Sequence, residues 1–433
     1  MLYRIRRIFE WSFISAICLM LFTYSAPRAT SQFDRVSVYT RDIEFDYISW
    51  MLDAARVKIQ QGAVGMPGYL NRESSKVVVS DDLFVTQQIN QANDALNRVY
   101  ADPSITDKTA ASARIRAELA ALDKQQASLA PIAEAILQGQ VSQVAADFGL
   151  TTLGQPIPTI SFHSTAVPDA LIVSPRDHIE EVANISLLPG LSVDQQAALE
   201  DRVDKGLNVS SLVVPIGGVG VYPTMIMQTT DLAWLVSTIA HEWTHNYLTL
   251  RPLGMLYDAS PELRTMNETT ADISGTEIGA EVMKRYYPEY GSASFPDAST
   301  SLSAGFGLAA FPRIISNADN AAAPPPFNFN AEMHTTRVHV DALLAQGKIT
   351  EAEAYMEQRR QIFVQNGYYI RKLNQAYFAF YGAYADVPGG AAGADPVGPA
   401  VRALRVRSKS LADFINRIAW MTSFDELKKA VGQ

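Results

Sequence analysis

Cysteine is nearly missing from this chain: the 433 residues contain one, Cys18. A disulfide framework within the chain and a cysteine-ligated zinc site are both excluded, so any metal must be held by histidine and carboxylate. Histidine is scarce as well, with six in all, which keeps the set of candidate ligands short. There is no excess of positive charge. Lys and Arg number 36 against 45 Asp and Glu, a net charge of −9 spread along the chain. Nucleic acid is therefore not expected as the main partner, because phosphate contacts need clustered cations. Long apolar runs are confined to the N-terminus. Residues 232–240 make the next candidate, and nine residues fall far short of the roughly 20 that span a bilayer. No internal repeat is visible. Gly217, Gly218 and Gly220 do not form a dinucleotide fingerprint, which would need a helix directly after the glycines.

What remains is an ordinary globular balance, with 48% hydrophobic and 19% charged residues and enough chain for two or three domains. At the N-terminus, Arg4, Arg6 and Arg7 precede an apolar run over residues 11–26. The cationic flank predicts a cytoplasmic N-terminus and a translocated remainder. Pro27-Arg28-Ala29-Thr30 matches a small-x-small cleavage site poorly. Residues 1–26 are therefore expected to be a membrane anchor or signal segment, with the bulk of the protein on the extracytoplasmic side, in the cell envelope. Cleavage would make the protein secreted. Residues 27–40 follow as a polar tether.

The fold expected is α+β and mostly helical: a helical region over 41–150, then a catalytic domain over 151–433. Phe45, Ile48, Met51 and Leu52 recur at helical steps, as on one face of a helix. Further helices are expected over about 80–100 and 106–122, the latter with a continuation past Pro131. Residues 159–174 and 209–227 are rich in Ile, Val, Phe and Tyr with Gly and Pro punctuation, and predict strands. A second long helix is expected over 260–287, opened by the N-cap and first-turn signals Ser260-Pro261-Glu262. Helices follow over 331–345, 350–365 and 368–385, with a last one near the C-terminus.

The chemistry centres on His241-Glu242-Trp243-Thr244-His245. Leu232, Leu235, Val236 and Ile239 give the segment the apolar face of a helix. Histidines four apart then project to one side and can share one zinc ion. Glu242 is free of ligand duty and can take a proton from a zinc-bound water. Asn267-Glu268-Thr269-Thr270-Ala271-Asp272 begins 22 residues beyond His245. Glu268 and Asp272 are again four apart on one helix face. A glutamate can complete the ligand set while an aspartate takes the other N–H of a ligand histidine. Glu277 and Glu281 are alternative third ligands, though neither has an aspartate four residues on.

His-Glu-x-x-His followed by Glu-x-x-x-Asp on a second helix resembles the gluzincin zinc peptidases, the group holding thermolysin and neprilysin. Glu268-Thr269-Thr270-Ala271-Asp272 is particularly similar to the neprilysin-type motif. The resemblance covers residues 241–272 and implies a zincin-like catalytic domain. It also implies Zn2+ on His241, His245 and Glu268, Glu242 as general base and Asp272 as the orienting carboxylate. Such enzymes need a side chain to hold the oxyanion opposite the metal. The candidates are His339 and Arg337 in one segment, and Tyr377, Tyr381 and Tyr384 in a stripe with Asn374; of these, His339 and Tyr381 are taken forward as catalytic. His163 and His178 are expected to be structural. The function expected is hydrolysis of peptide bonds in a peptide or protein substrate by a membrane-tethered zinc metallopeptidase. The rivals are a zinc hydrolase of a non-peptide amide or ester, and a catalytically dead membrane-tethered binding or assembly protein.

Overall fold

The computed structural model of the protein describes residues 31–101, 105–257, 259–290, 327, 329–368, 370–381 and 396–432. The N-terminal segment 1–26, with Cys18, lies outside them, as does Tyr384. Among the described residues no helix is long and apolar enough to cross a membrane.

The first part of the chain is helical, as its periodicity predicts. Helix α1 (Gln32–Ser37) falls inside the segment expected to be a tether, and Ser31 with Asp34 forms its capping box. Helix α2 (Tyr47–Val64) starts at Asp46, whose carboxylate accepts from the Ile48 and Ser49 amides, and it stops at Gly65 in the left-handed region. Helices α3 (Arg72–Ala101) and α4 (Lys108–Asp147) lie along each other. Helix α4 runs unbroken through Pro131. The ring removes one backbone hydrogen bond. Burial of Ala133, Ile136, Leu137, Val141 and Val144 immediately afterwards holds the helix in line. On α2, Ile48 and Leu52 share a face as their spacing predicts, and that face points to solvent, 70% and 68% exposed. Its inner side carries Ala54 and two polar groups instead.

Those polar groups serve Glu134, a fully buried carboxylate on α4. It accepts from Lys58 Nζ at 2.5 Å, Gln61 Nε2 at 3.1 Å, His163 Nδ1 at 2.9 Å and the Ser164 amide at 2.8 Å. His163 is thus structural, as expected. Asp82 on α3 senses this site. Burial, and then the Glu134 charge, push its carboxyl up to about 7. A carboxyl whose folded pKa exceeds its unfolded one must take up a proton to fold. Stability therefore falls as pH rises from about 4 to about 7 and levels off above. Asp82→Asn is expected to raise stability at pH 8 by on the order of 1 kcal/mol and to flatten that dependence. Urea melts of both proteins at pH 4.5 and pH 8 check it. Equal gains at both pH values would contradict it.

Two small sheets follow. In the first, β2 (Asp169–Pro175) lies between β3 (Ala183–Leu187) and β4 (Val209–Pro215), all antiparallel. Both faces are covered, which explains the unbroken apolar runs at 170–173 and 212–214. Ala170, Ile172, Leu212 and Val214 face a core of aromatic helices. Leu171, Val173 and Val213 face α1 and α5 (Val193–Leu207). Neither β3 nor α5 was foreseen. In the second sheet, β6 (Thr224–Met227) pairs in parallel with β1 (Phe162–Thr165) and antiparallel with the short β5 (Gly218–Val219). Among the described residues that leaves β5 at an edge.

Helix α6 (Leu232–Thr249) carries the first motif and α8 (Pro261–Tyr286) the second, joined by the one-turn α7 (Pro252–Met255). Asp231 caps α6 through the Trp234 amide, and Ser260 caps α8 with Pro261 at its first position. The α9 (Phe329–Leu344) and α10 (Ile349–Gln365) pair matches expectation. Helix α11 (Gln375–Tyr381) starts later than the predicted 368. Arg371 turns back to Glu200 and Lys372 to Asp204, and Asn374 caps the Tyr377 amide at 2.9 Å. The chain closes with α12 (Val397–Val406), α13 (Leu411–Ile418) and α14 (Phe424–Val431), where one helix was expected. Residues of α3 and α4 share one core with α6, α8 and these last helices, so packing does not stop at residue 150.

Candidate metal centre

Helices α6 and α8 approach closely because small residues line their seam. A Cβ on Gly275 would sit 2.7 Å from the Ser237 carbonyl oxygen, and one on Gly279 would sit 3.0 Å from the Ser237 Cα. Thr244 and Ser274 add a buried hydrogen bond of 2.8 Å between the helices. The one-turn spacing of each motif then brings the two polar faces together.

His241 Nε2 and His245 Nε2 lie 3.0 Å apart. Glu268 Oε2 is 3.7 Å from the first and 3.5 Å from the second. A tetrahedral zinc with ligand bonds near 2.0–2.1 Å needs donor separations of about 3.3 Å, so three donors already stand close to the right spacing. The other ring nitrogens are engaged. His241 Nδ1 is 3.0 Å from Asp272 Oδ1, and His245 Nδ1 is 2.8 Å from Asn267 Oδ1. The Asn267 amide is oriented by its own donation to the Leu253 carbonyl at 3.3 Å. With both Nδ1 atoms donating, both Nε2 lone pairs converge on one point, which suits a cation. The donor set of two imidazoles and one carboxylate fits zinc.

Electrostatics agree with that geometry. Burial opposes protonation of His245, but the Glu268 charge and hydrogen bond, then Glu242 and Asn267, outweigh it and raise the imidazole to about 9. Burial pushes Glu268 up, yet His245, His241 and the Tyr257 hydroxyl bring its carboxyl down to about 2. The same negative environment that favours an imidazolium there would favour a bound cation, and metal uptake would displace the proton. Side-chain exposure rises from 6% at His241 to 18% at His245 and 33% at Glu268, so the cluster opens to solvent on the carboxylate side.

Glu242 is buried beside the cluster, and desolvation raises its pKa. The edge strand β5 lies over it. A Cβ on Gly218 would meet Glu242 Oε1 at 2.9 Å, and one on Gly220 would lie 3.6 Å from Oε2. The glycines give this carboxylate its room.

The other predicted residues separate cleanly. Glu277 is held by Arg405 through two bonds of 2.7 and 2.8 Å, and Glu281 pairs with Arg285, so neither reaches the imidazoles. His339 is exposed and its ring lies tilted against Tyr355, centroids 4.3 Å apart. Tyr381 is buried against Tyr377 and Phe380 in the core built on β2 and β4, not in the core around α6 and α8. Both sit where their own helices pack, and the structure brings neither to the cluster. Arg337 forms the i,i+4 pair with Asp341 at 2.9 Å. His178 is an exposed surface residue between Asp177 and Glu180.

Two residues at the cluster were missed. Asn267 was visible as the neighbour of Glu268, one helical step from the ligand face. Tyr257 donates to Glu268 Oε1 and stands edge-on to the His245 ring at 6.2 Å. It comes from the irregular turn before α8, where spacing carries no signal. Asp272→Asn is expected to lower metal affinity by about 10–100-fold, since its partner ring loses a charged acceptor but keeps its place. Competition against a chelating dye measures it, and unchanged affinity would contradict the assignment.

Comparison with protein-family models, with curated proteins and with solved structures returns no match for this chain.

Proposed function

We propose that the protein is a zinc-dependent metallopeptidase with a zincin-like catalytic domain, tethered to a membrane by residues 1–26. The observation that carries the reading is the convergence of His241 Nε2, His245 Nε2 and Glu268 Oε2, all within 4.8 Å of one another, beside a buried carboxylate with no ligand role. Zinc, when bound, supplies Lewis-acid chemistry and makes a water acidic enough to lose its proton near neutral pH. Glu242, buried beside the cluster, would accept that proton on its carboxylate and give it back to the departing amine. Asp272 and Asn267 hold the imidazoles in the tautomer that leaves Nε2 free. Tyr257 is assigned to the developing oxyanion, in place of Tyr381 and His339, because its hydroxyl is already at the cluster.

Edge strand β5 favours a peptide over another amide or an ester. Among the described residues β5 pairs with a strand on one side only, so an extended chain could add as a further strand beside Glu242. Zinc-loaded protein is expected to cleave unstructured peptides and to leave matched small esters and non-peptide amides largely intact. Ester turnover with no peptide cleavage would replace the peptidase reading with the zinc-hydrolase one.

A further inference from the structure

Helix α2 is amphipathic in the wrong sense for a helix facing water. Trp50, Ala54, Lys58 and Gln61 form the inner side: Ala54 is buried, Trp50 stacks on His163, and Lys58 and Gln61 bond to Glu134. Ile48, Leu52 and Ile59 point the other way, within about 40° of arc. They are 70%, 68% and 72% exposed. Two long polar side chains thus go inward while three large aliphatic ones go outward, the reverse of what an aqueous surface selects at those positions.

The exposure is also concentrated along the chain. Phe33 and Val38 on and beside α1 are 47% and 60% exposed, and Val77 and Phe84, seven apart on α3, are 57% and 56% exposed. Of the eighteen exposed large hydrophobic residues among the described ones, eight fall between residues 33 and 84, which ties the apolar surface to the N-terminal part of the fold. Directly upstream lies the apolar run of residues 11–26. A run of this length is shorter than the roughly 20 residues of a comfortable span. Residues 27–30, fully extended, reach only about 13 Å. A domain tied that closely to a bilayer meets its surface with whatever lies nearest the tether.

We infer that α1 and the outer face of α2 form a lipid-contact surface, with Ile48, Leu52 and Ile59 seated among the lipid head groups and upper acyl chains. The inference rests on the membrane attachment in the proposed function and is independent of the peptidase reading. Exposed charges around the stripe are mixed, with Arg35, Arg41 and Arg56 beside Asp42, Glu44 and Asp53. The contact is accordingly apolar and needs no anionic lipid. It would fix the orientation of the catalytic domain over the membrane rather than leave it swinging on its tether.

The test uses the full chain with Cys18→Ala and one new labelling site, Leu52→Cys, Ile59→Cys or, as control, Val406→Cys, which is 85% exposed on the last turn of α12. Each carries an environment-sensitive fluorophore and is reconstituted into phosphatidylcholine vesicles. Flotation of the vesicles reports attachment separately. The expected result is co-flotation, with quenching by a nitroxide on the lipid head group several-fold stronger at 52 and 59 than at 406. Co-flotation with equal quenching at all three sites overturns the surface and leaves the anchor standing. Self-quenching between labelled copies without lipid quenching makes the face a contact between two chains and also overturns it. A chain that does not float removes the anchor, and the inference with it.

Discussion

Glu242→Gln is expected to keep about one zinc per chain and to lose roughly three or more orders of magnitude in turnover. The residue follows His241 in sequence and is buried, and no hydrogen bond to its carboxylate is found among the described residues. The amide preserves its shape in the space left by Gly218 and Gly220, so folding and metal content are expected to stay unchanged. What is removed is the ability to accept a proton. Metal content and kcat measured on the same preparation separate the two properties. Retention of most of the activity would remove Glu242 from the mechanism.

Glu268→Ala is expected to have the larger effect on metal. Loss of a ligand should cost more than the 10–100-fold typical of an orienting group, so zinc affinity is expected to fall by more than about 100-fold. Two imidazoles facing each other at 3.0 Å would also lose the carboxylate that stabilises charge between them. Glu277→Ala is the matched control: it removes a carboxylate from the same helix, but one engaged by Arg405. It should leave zinc untouched and cost only the stability of a partly exposed ion pair, about 1 kcal/mol or less. Isothermal titration with zinc on both variants decides between them. If Glu277→Ala loses the metal and Glu268→Ala keeps it, the third ligand has been misassigned.

The cluster was legible in the sequence because helical spacing is a strong geometric constraint. Residues four apart share a face wherever the helix sits, so His241 with His245 and Glu268 with Asp272 could be paired before any tertiary information. The capping signals at Ser260-Pro261 placed the second helix almost to the residue. Residues supplied by loops or by packing were not legible. Tyr257 comes from an irregular turn, and its position follows from how α7 directs the chain between two helices. Tyr381 and His339 looked suitable by residue type, but their helices pack against the β3-β2-β4 sheet and each other, away from α6 and α8. The orientation of helix α2 was not legible for a related reason. A 3.6-residue period shows that Ile48 and Leu52 share a face; it does not show which way that face points. The buried demand of Glu134 turned Lys58 and Gln61 inward and the aliphatic residues outward.

Metal content of the purified full-length protein tests the central claim most directly. After dialysis against a trace of zinc, elemental analysis is expected to find about one zinc per chain, lost in His245→Ala with the helical circular dichroism retained. A folded wild-type chain that binds no zinc, or binds it equally well without His245, would contradict the account.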